Sequence, residues 1–247
     1  EIGIQVMQAA ATSVKRVTLE LGGKSAFLVL ADADIDDAVE KAVGGMFYNA
    51  GQMCSAMSRV LVHESVADVF FQKLKQATES ILLGQEVEGQ FSMGPMTTYK
   101  QFKKVHEYLA LAEQEQLTAL IDVNNISCPT QGFYIRPQIY IDVPTNSRLW
   151  KEEIFGPVMC CRTFKTEDEA IQAANDSEFG LAATIMTGSV DHGKSLAKRL
   201  RAGHIWINSF QMIHPSSLWG GFKKSGTGRE LGESGMQSYL EENVITI

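Results

Sequence analysis

The stretch Ala26-Phe-Leu-Val-Leu-Ala31, followed at once by Asp32-Ala-Asp-Ile-Asp-Asp37, decides the fold class. Six consecutive apolar or small residues that end in an acidic turn predict a short buried strand. Acidic side chains favour the N-terminal end of a helix, where they interact with the helix dipole, so a helix reaching about Tyr48 is expected next. A buried strand that leads directly into a helix is the unit from which parallel sheets are built.

The same alternation continues along the chain. Helices are predicted at residues 2–12, 65–82, 96–115, 167–175 and 189–202, and strands at 15–20, 59–63, 117–122, 138–142, 157–164, 181–187 and 204–208. This order predicts an α/β fold with a largely parallel sheet flanked by helices. The last residues, 242–247, also predict a strand, but they have no obvious partner nearby in sequence. An unpaired strand edge is a liability unless it is covered, and a second subunit is one way to cover it.

Composition excludes several classes of function. The 247 residues carry 22 Lys and Arg against 29 Asp and Glu, a net charge of −7, which disfavours a nucleic-acid partner. No apolar stretch approaches the roughly 20 residues that cross a bilayer, so no membrane span is expected. The four cysteines contain no C-x-x-C pair and indicate a reducing, cytoplasmic setting. The five histidines are scattered, and no metal site is expected.

One motif points to a different function. Gly188-Ser-Val-Asp-His-Gly-Lys-Ser195 matches the phosphate-binding loop of nucleotide hydrolases letter for letter, and it lies between a predicted strand and a predicted helix. The strand that follows ends in Asn208, whereas magnesium binding in such proteins needs an Asp there. A polar turn that begins a helix is the simpler interpretation, and the nucleotide hydrolase stays as an alternative.

Cys54 and Glu20 are the residues best placed for chemistry. Cys54 follows the glycine-containing turn Asn49-Ala-Gly-Gln-Met53 and precedes a strand, with small residues after it, as expected of a nucleophile. Its alternative is a structural thiol, the commonest role of a free cysteine. Glu20 ends a strand beside Gly22 and Gly23, which allow close approach of the backbone, and a carboxylate there suits a general base. Its alternative is a surface charge at a strand end.

Several segments together resemble the aldehyde dehydrogenase superfamily, and the resemblance runs over essentially the whole chain. The segments that carry it are Leu19-Glu-Leu-Gly-Gly-Lys-Ser25, Asn49 to Arg59 around Cys54, Glu152-Glu-Ile-Phe-Gly-Pro-Val158, and Trp219-Gly-Gly-Phe-Lys-Lys-Ser-Gly226 with Gly228-Arg-Glu-Leu-Gly-Glu233. Four motifs in the right order and spacing are a specific signal, whereas a single one is not.

The resemblance implies an NAD- or NADP-dependent oxidation of an aldehyde to a carboxylic acid. The Cys54 thiolate would attack the aldehyde carbonyl to give a thiohemiacetal and then a thioester, and Glu20 would activate water for its hydrolysis. By the same resemblance Leu21, Glu153 and Phe155 would contact the cofactor, and Glu233 would take part in proton transfer near the thiol.

The segment after Cys54 is also similar to betaine-aldehyde dehydrogenases, as is a tryptophan before the double glycine. Trp219 and Phe210 would then hold a trimethylammonium group against their rings, where a desolvated cation–π contact contributes about 2 kcal/mol. Core aromatics are the alternative, and other amino- or aliphatic aldehydes stay open as substrates. A non-catalytic interaction module is a third class, which the presence of both Cys54 and Glu20 disfavours.

The resemblance also implies a division of the chain. Residues 1–20 match the tail of a Rossmann-like cofactor domain that is otherwise missing, 21–227 the catalytic domain, and 228–247 a segment that returns to the cofactor domain and ends in an oligomerisation strand. The expected partners are therefore the protein's own N-terminal half, a second copy of the subunit and a small aldehyde. Because the family's oxyanion-hole Asn would lie upstream, and losing one such donor costs about 10²–10³ in rate, the isolated chain is expected to be almost inactive.

Overall fold

The structure is a computed structural model that describes residues 1–84 and 88–247. Its helices, in chain order, are α1 Ile2–Ala11, α2 Ile35–Phe47, α3 Glu64–Glu79, α4 Tyr99–Gln114, α5 Arg148–Lys151, α6 Glu167–Asn175, α7 Val190–Ala197 and α8 Gly232–Met236. Its strands are β1 Leu19–Glu20, β2 Ala26–Val29, β3 Arg59–His63, β4 Leu82–Leu83, β5 Ser92–Met93, β6 Thr118–Ala119, β7 Gln138–Ile141, β8 Val158–Phe164, β9 Phe179–Gly180, β10 Ala182–Met186, β11 His204–Ile207, β12 Phe222–Lys223 and β13 Gly226–Thr227. Short 3₁₀ turns occupy Val123–Asn125 and Gln237–Tyr239, and a turn with left-handed backbone at Asn49 and Ala50 occupies Tyr48–Gly51.

A seven-stranded sheet with the order β11-β10-β2-β3-β8-β7-β6 forms the centre of the molecule. Every neighbouring pair in it is parallel except β6 and β7. All four residues of β2 and all five of β10 are buried, because helices cover a parallel sheet on both faces. The predicted α/β fold with a largely parallel sheet flanked by helices is confirmed.

Except for α1 and α8, the described helices begin where a local side chain accepts a hydrogen bond from one of their first amides. The Asp34 carboxylate accepts hydrogen bonds from the amides of Asp36 and Asp37, which starts α2 as the acidic turn predicts. Thr166 and Glu169 form a complete capping box at the start of α6. Among the described residues, no helix is long and apolar enough to cross a membrane.

The glycine-rich segment at residues 188–195 forms a helix start and not a phosphate loop. The Ser189 hydroxyl accepts the amide of His192, so α7 begins at once, and Gly193 and Lys194 lie inside the helix. Lys194 pairs with Asp191 on the surface. A Cβ on Gly188 would lie only 2.7 Å from the backbone carbonyl oxygen of Asp32. The Asp32 carboxylate accepts a hydrogen bond from the Thr187 hydroxyl. Closed backbone and a neighbouring negative charge leave no cradle for a phosphate, and the nucleotide-hydrolase alternative is not supported.

Two strand predictions at the ends of the chain differ from the structure. The strand expected at 15–20 shortens to β1, which pairs antiparallel with β13 through Leu19 with Thr227 and Glu20 with Gly226. The strand expected at 242–247 does not form, and Val244, Ile245 and Ile247 are exposed. A strand needs a hydrogen-bonded neighbour, and none of the described residues lies beside that segment as one. Helix α7 also ends at Ala197, five residues before its predicted end, where two successive turns replace it.

Candidate active site

A left-handed turn presents Cys54. After α2 the backbone of Asn49, Ala50 and Gly51 takes φ values of 51°, 55° and 68°, a region that residues other than glycine seldom adopt. Gly51 is needed here for a second reason, because a Cβ on it would lie 2.4 Å from the carbonyl oxygen of Gly156. The turn therefore sits directly against the segment that carries Glu153 and Phe155, and Cys54 follows it before β3 begins.

The Cys54 thiol is half-buried and lies within the electrostatic field of two carboxylates. Burial raises the pKa of the thiol above its ordinary value, and the charges of Glu153 and Glu20 raise it further, while a hydrogen bond to the Ser55 backbone lowers it. The Gly23 backbone links the thiol segment to Glu153: a Cβ on Gly23 would lie 2.5 Å from the Cys54 carbonyl oxygen, and the Gly23 amide donates to Glu153 Oε1 over 3.0 Å. Glu20 lies three residues before Gly23 on the same segment.

Glu20 lies on β1, half-buried against the glycine-rich segment after Trp219. Burial raises the pKa of its carboxyl, and the Glu230 charge adds to this effect, while Trp219 and Arg229 lower the pKa. Its Oε2 is buried and accepts no hydrogen bond from the described residues. A carboxylate with a raised pKa and a free acceptor oxygen is suited to take a proton from water.

Glu153 is fixed by the two glycines that follow Leu21. The Gly23 amide donates to its Oε1 over 3.0 Å, and a Cβ on Gly22 would lie 2.1 Å from its Oε2. Burial raises the pKa of the Glu153 carboxyl, opposed by the Gly23 hydrogen bond and by Lys104 and Lys24. The Oε2 atom accepts no hydrogen bond from the described part of the chain, so it can accept one from a ligand.

The other two predicted cofactor contacts are close in sequence to Glu153 or to the glycines that hold it. Phe155, two residues after Glu153, is half-buried and takes a left-handed φ of 60°. The Leu21 amide donates to Ser225, and its side chain packs against Gly3 of α1. Leu21 therefore faces α1, whereas Glu153 and Phe155 belong to the loop that packs against the thiol turn.

The two predicted substrate-pocket aromatics have different surroundings. Trp219 is 8% exposed and packs beside His204 and Trp206, with ring centroids 5.4 and 6.2 Å away, and it also faces Glu20. Phe210 packs its ring onto Gly44 of α2, where a Cβ would lie 2.6 Å from the ring. Trp219 thus joins an aromatic cluster next to the base, whereas Phe210 lies against α2.

Glu233 lies apart from this group. It is exposed in the first turn of α8, and it is absent from the groups that shift the pKa of Cys54. Within the described ranges, no three His, Cys, Asp or Glu side chains cluster as they would around a metal ion.

Sequence reasoning missed two polar contacts around the thiol. The Ser55 hydroxyl donates to Gln211 Oε1 over 2.7 Å, and the Gln52 side chain is buried in a network of its own. Gln52 lies inside the turn that the sequence singled out, and its partner Asn49 is in the same turn, but its partners Pro95 and Thr97 lie more than forty residues away.

The fold and this constellation are those of a known family. The aldehyde dehydrogenase family matches residues 1–245, and the chain belongs to that family. A chloroplastic betaine aldehyde dehydrogenase of Atriplex hortensis is 42% identical over 244 residues, which are 99% of this chain and 49% of the relative. A chloroplastic aminoaldehyde dehydrogenase of Arabidopsis thaliana is 42% identical over 245 residues, with the same coverage.

A solved structure of a relative has the same fold over about half of its own length. Betaine aldehyde dehydrogenase of Staphylococcus aureus in complex with NAD⁺ is 36% identical and superposes with a TM-score of 0.91 over 97% of this chain and 48% of its own. The chain therefore spans about half the length of the curated relatives it matches.

Proposed function

We propose that the protein oxidises an aldehyde to a carboxylic acid with NAD or NADP, using Cys54 as the nucleophile and Glu20 as the general base. The observation that carries this proposal is the half-buried Cys54 packed against Gly23, whose amide holds Glu153 and which follows Glu20 by three residues. Family membership supports it, since the relatives named above are dehydrogenases. That likeness also favours an enzyme over a non-catalytic interaction module.

The chain's own residues account for the bond changes at the substrate carbon. The Cys54 thiol adds to the aldehyde: its sulfur bonds to the carbonyl carbon and its proton passes through water to the carbonyl oxygen, which gives a thiohemiacetal. A bound nicotinamide cofactor would supply the acceptor for the hydride that leaves this carbon, while the hydroxyl proton is released to water. The resulting thioester is attacked by a water that gives a proton to Glu20; the carbon–sulfur bond then breaks, the proton on Glu20 returns to the sulfur, and the acid is released.

The residues present fit a dinucleotide at this edge. The free Oε2 of Glu153 offers an acceptor to a ribose hydroxyl, and its partner oxygen is already fixed by the Gly23 amide. A side chain at Gly22 would fill the space beside it. We assign Glu153, Phe155 and Leu21 to holding the nicotinamide end of the cofactor.

Betaine aldehyde or a related cationic aldehyde is the substrate we propose, because two of the named relatives act on betaine aldehyde or aminoaldehydes by name. Trp219 lies next to Glu20, and its ring would attract a cationic substrate group towards the reacting carbon. Phe210 is a second candidate, and Glu233 a candidate for proton transfer.

The proposal also includes partners. Exposed apolar side chains on α1 (Ile2, Ile4 and Met7) and at the C-terminal end (Val244 and Ile245) are suited to burial against other parts of a complete enzyme. We propose that the protein's own N-terminal half covers the first set and that a second subunit covers the other. The three-part division at residues 20 and 227 and the cytoplasmic location remain predictions.

Two substitutions in the complete enzyme test the chemistry. Cys54→Ser is expected to abolish aldehyde oxidation. Glu20→Gln is expected to leave a single burst of NADH or NADPH, one per active site, followed by very slow turnover, because hydrolysis of the thioester then lacks its base. Cys128→Ser, at a half-buried cysteine in another loop, is the matched control and should keep full activity. Ordinary turnover by Cys54→Ser would overturn the proposal.

A further inference from the structure

Gln52, two residues before Cys54, uses every hydrogen-bonding position of its side-chain amide. The side chain is buried, and its Oε1 accepts both the backbone amide of Thr97 at 2.8 Å and the Thr97 hydroxyl at 2.7 Å. Its Nε2 donates to the carbonyl of Asn49 at 3.0 Å and to that of Pro95 at 3.3 Å. Two acceptor and two donor positions are thus filled by two separate parts of the chain.

One of those parts is the turn that needs support. Asn49 and Ala50 both take left-handed φ values, which carry a steric cost for any residue with a Cβ. The Asn49 side chain donates to the Gln52 carbonyl, and the Gln52 side chain donates to the Asn49 carbonyl, so the two residues close the turn from both sides. Such a conformation persists only where its surroundings hold it.

The other part leads to the loop that carries Glu153 and Phe155. Thr98, next to Thr97, caps α4, and one turn later the Gln101 side chain donates to the carbonyls of Ile154 and Phe155, both at 2.8 Å. The segment 95–101 therefore bonds to the thiol turn at one end and to the 153–155 loop at the other. This short segment therefore sets the distance between the thiol turn and the 153–155 loop.

We propose that Gln52 is a positioning residue that, through Thr97, fixes the Cys54 thiol relative to the loop of Glu153 and Phe155. Removing its hydrogen bonds would let the strained turn relax and move the sulfur away from its half-buried place next to Gly23, whose amide holds Glu153. That the position of the Cys54 sulfur matters for catalysis rests on the proposed function. The geometry of the thiol can be measured without any aldehyde or cofactor.

The test is the alkylation of Cys54 by iodoacetamide in the full 247-residue chain, followed by peptide mass spectrometry across a range of pH. The half-buried Cys128 serves as an internal reference. Gln52→Met keeps the length of the side chain and loses all four hydrogen bonds. We expect its Cys54 to titrate at lower pH, because relaxation reduces the burial and the carboxylate repulsion that raise the thiol pKa.

The expected size is a rise of about threefold or more in the Cys54 alkylation rate at neutral pH, since one unit of pKa changes the thiolate fraction about tenfold. The Cys128 rate should stay the same. Gln76→Ala, at an exposed position on α3, is the control substitution and should change neither rate. Thr97→Val removes only one of the four hydrogen bonds and should shift the pH profile of Cys54 alkylation in the same direction by a smaller amount. It serves as the test variant if Gln52→Met does not fold.

An unchanged Cys54 pH profile in a folded Gln52→Met or Thr97→Val protein would overturn the inference. Retained activity of Cys54→Ser would instead remove the proposed function, and the alkylation result would stand regardless.

Discussion

Gly22→Ala in the complete enzyme is the sharpest perturbation of the proposed cofactor site. An added Cβ would lie 2.1, 2.5 and 2.6 Å from the three carboxyl atoms of Glu153. Ordinary contacts begin at 3.4 Å, so the carboxylate must retreat by 3.4 − 2.1 = 1.3 Å. The Gly22 backbone is not in the left-handed region, and alanine is tolerated there without strain of its own.

A movement of that size breaks the hydrogen bond from the Gly23 amide to Oε1, now 3.0 Å long. It also withdraws Oε2 from the position where we place a ribose hydroxyl. A hydrogen bond to a charged group contributes about 1.5–3 kcal/mol. Since 1.4 kcal/mol is a factor of ten, the KM for the nicotinamide cofactor should rise about 10- to 100-fold. The thermal midpoint should fall by only a few degrees, because the displaced group is the end of a flexible side chain.

Steady-state kinetics at saturating aldehyde, with the cofactor varied, measure this effect, and a thermal melt checks that the fold is intact. Gly94→Ala is the matched control, because a Cβ there meets nothing within 4 Å. An unchanged cofactor KM in a folded Gly22→Ala enzyme would refute the assignment of Glu153 to the cofactor.

Three further predictions concern other parts of the molecule. Arg59→Met should lower the free energy of unfolding by about 3–5 kcal/mol in urea titrations, because the buried guanidinium donates to three backbone carbonyls that would lose their partner. The control Arg16→Met, at an exposed ion pair, should lower it by less than about 1 kcal/mol, and equal effects of the two substitutions would contradict this reasoning. Trp219→Ala should raise the KM for betaine aldehyde far more than that for a neutral aldehyde, whereas equal changes would remove the cation–aromatic contact from the proposal. Glu20→Gln should stabilise the protein at neutral pH, because the raised pKa of Glu20 means that folding favours its protonated form. The wild-type carboxyl group therefore contributes stability at low pH, and this contribution is lost as the pH rises through the pKa of Glu20 in the folded protein. Unfolding in urea at neutral pH and again about one unit below the ordinary glutamate pKa of about 4.3 measures this, and a gain that is the same at both values would show that the charge is not its cause.

Cys54 and Glu20 could be singled out as candidates from sequence because each lies in a motif whose residues are neighbours along the chain. Asn49 to Cys54 contains its own turn, and Glu20 is followed by the two glycines that bring the backbone close. The capping residue Asp34 and the buried run of β2 were likewise visible, because caps and burial patterns operate within one turn or one strand.

The hydrogen bonds that hold the site were not accessible in this way. Gln52 meets Thr97, and Gln101 meets Phe155, across 45 and 54 residues of sequence. Their pairing depends on where α4 is packed after the sheet has formed. The same holds for the C-terminal residues, whose apolar pattern predicts a strand although the described chain offers them no partner.

The sequence by itself determined the family and the α/β class and singled out Cys54 and Glu20 as candidates, since all of these depend on residue types at short spacing. Only the tertiary structure decided that β2 lies between β3 and β10, that the segment at 188–195 is a helix start, and that Glu153 is held by Gly23 next to the Cys54 backbone. The physical reason is the range of the forces involved: propensity and capping act over a few residues, whereas strand order and buried polar contacts depend on which distant surfaces meet.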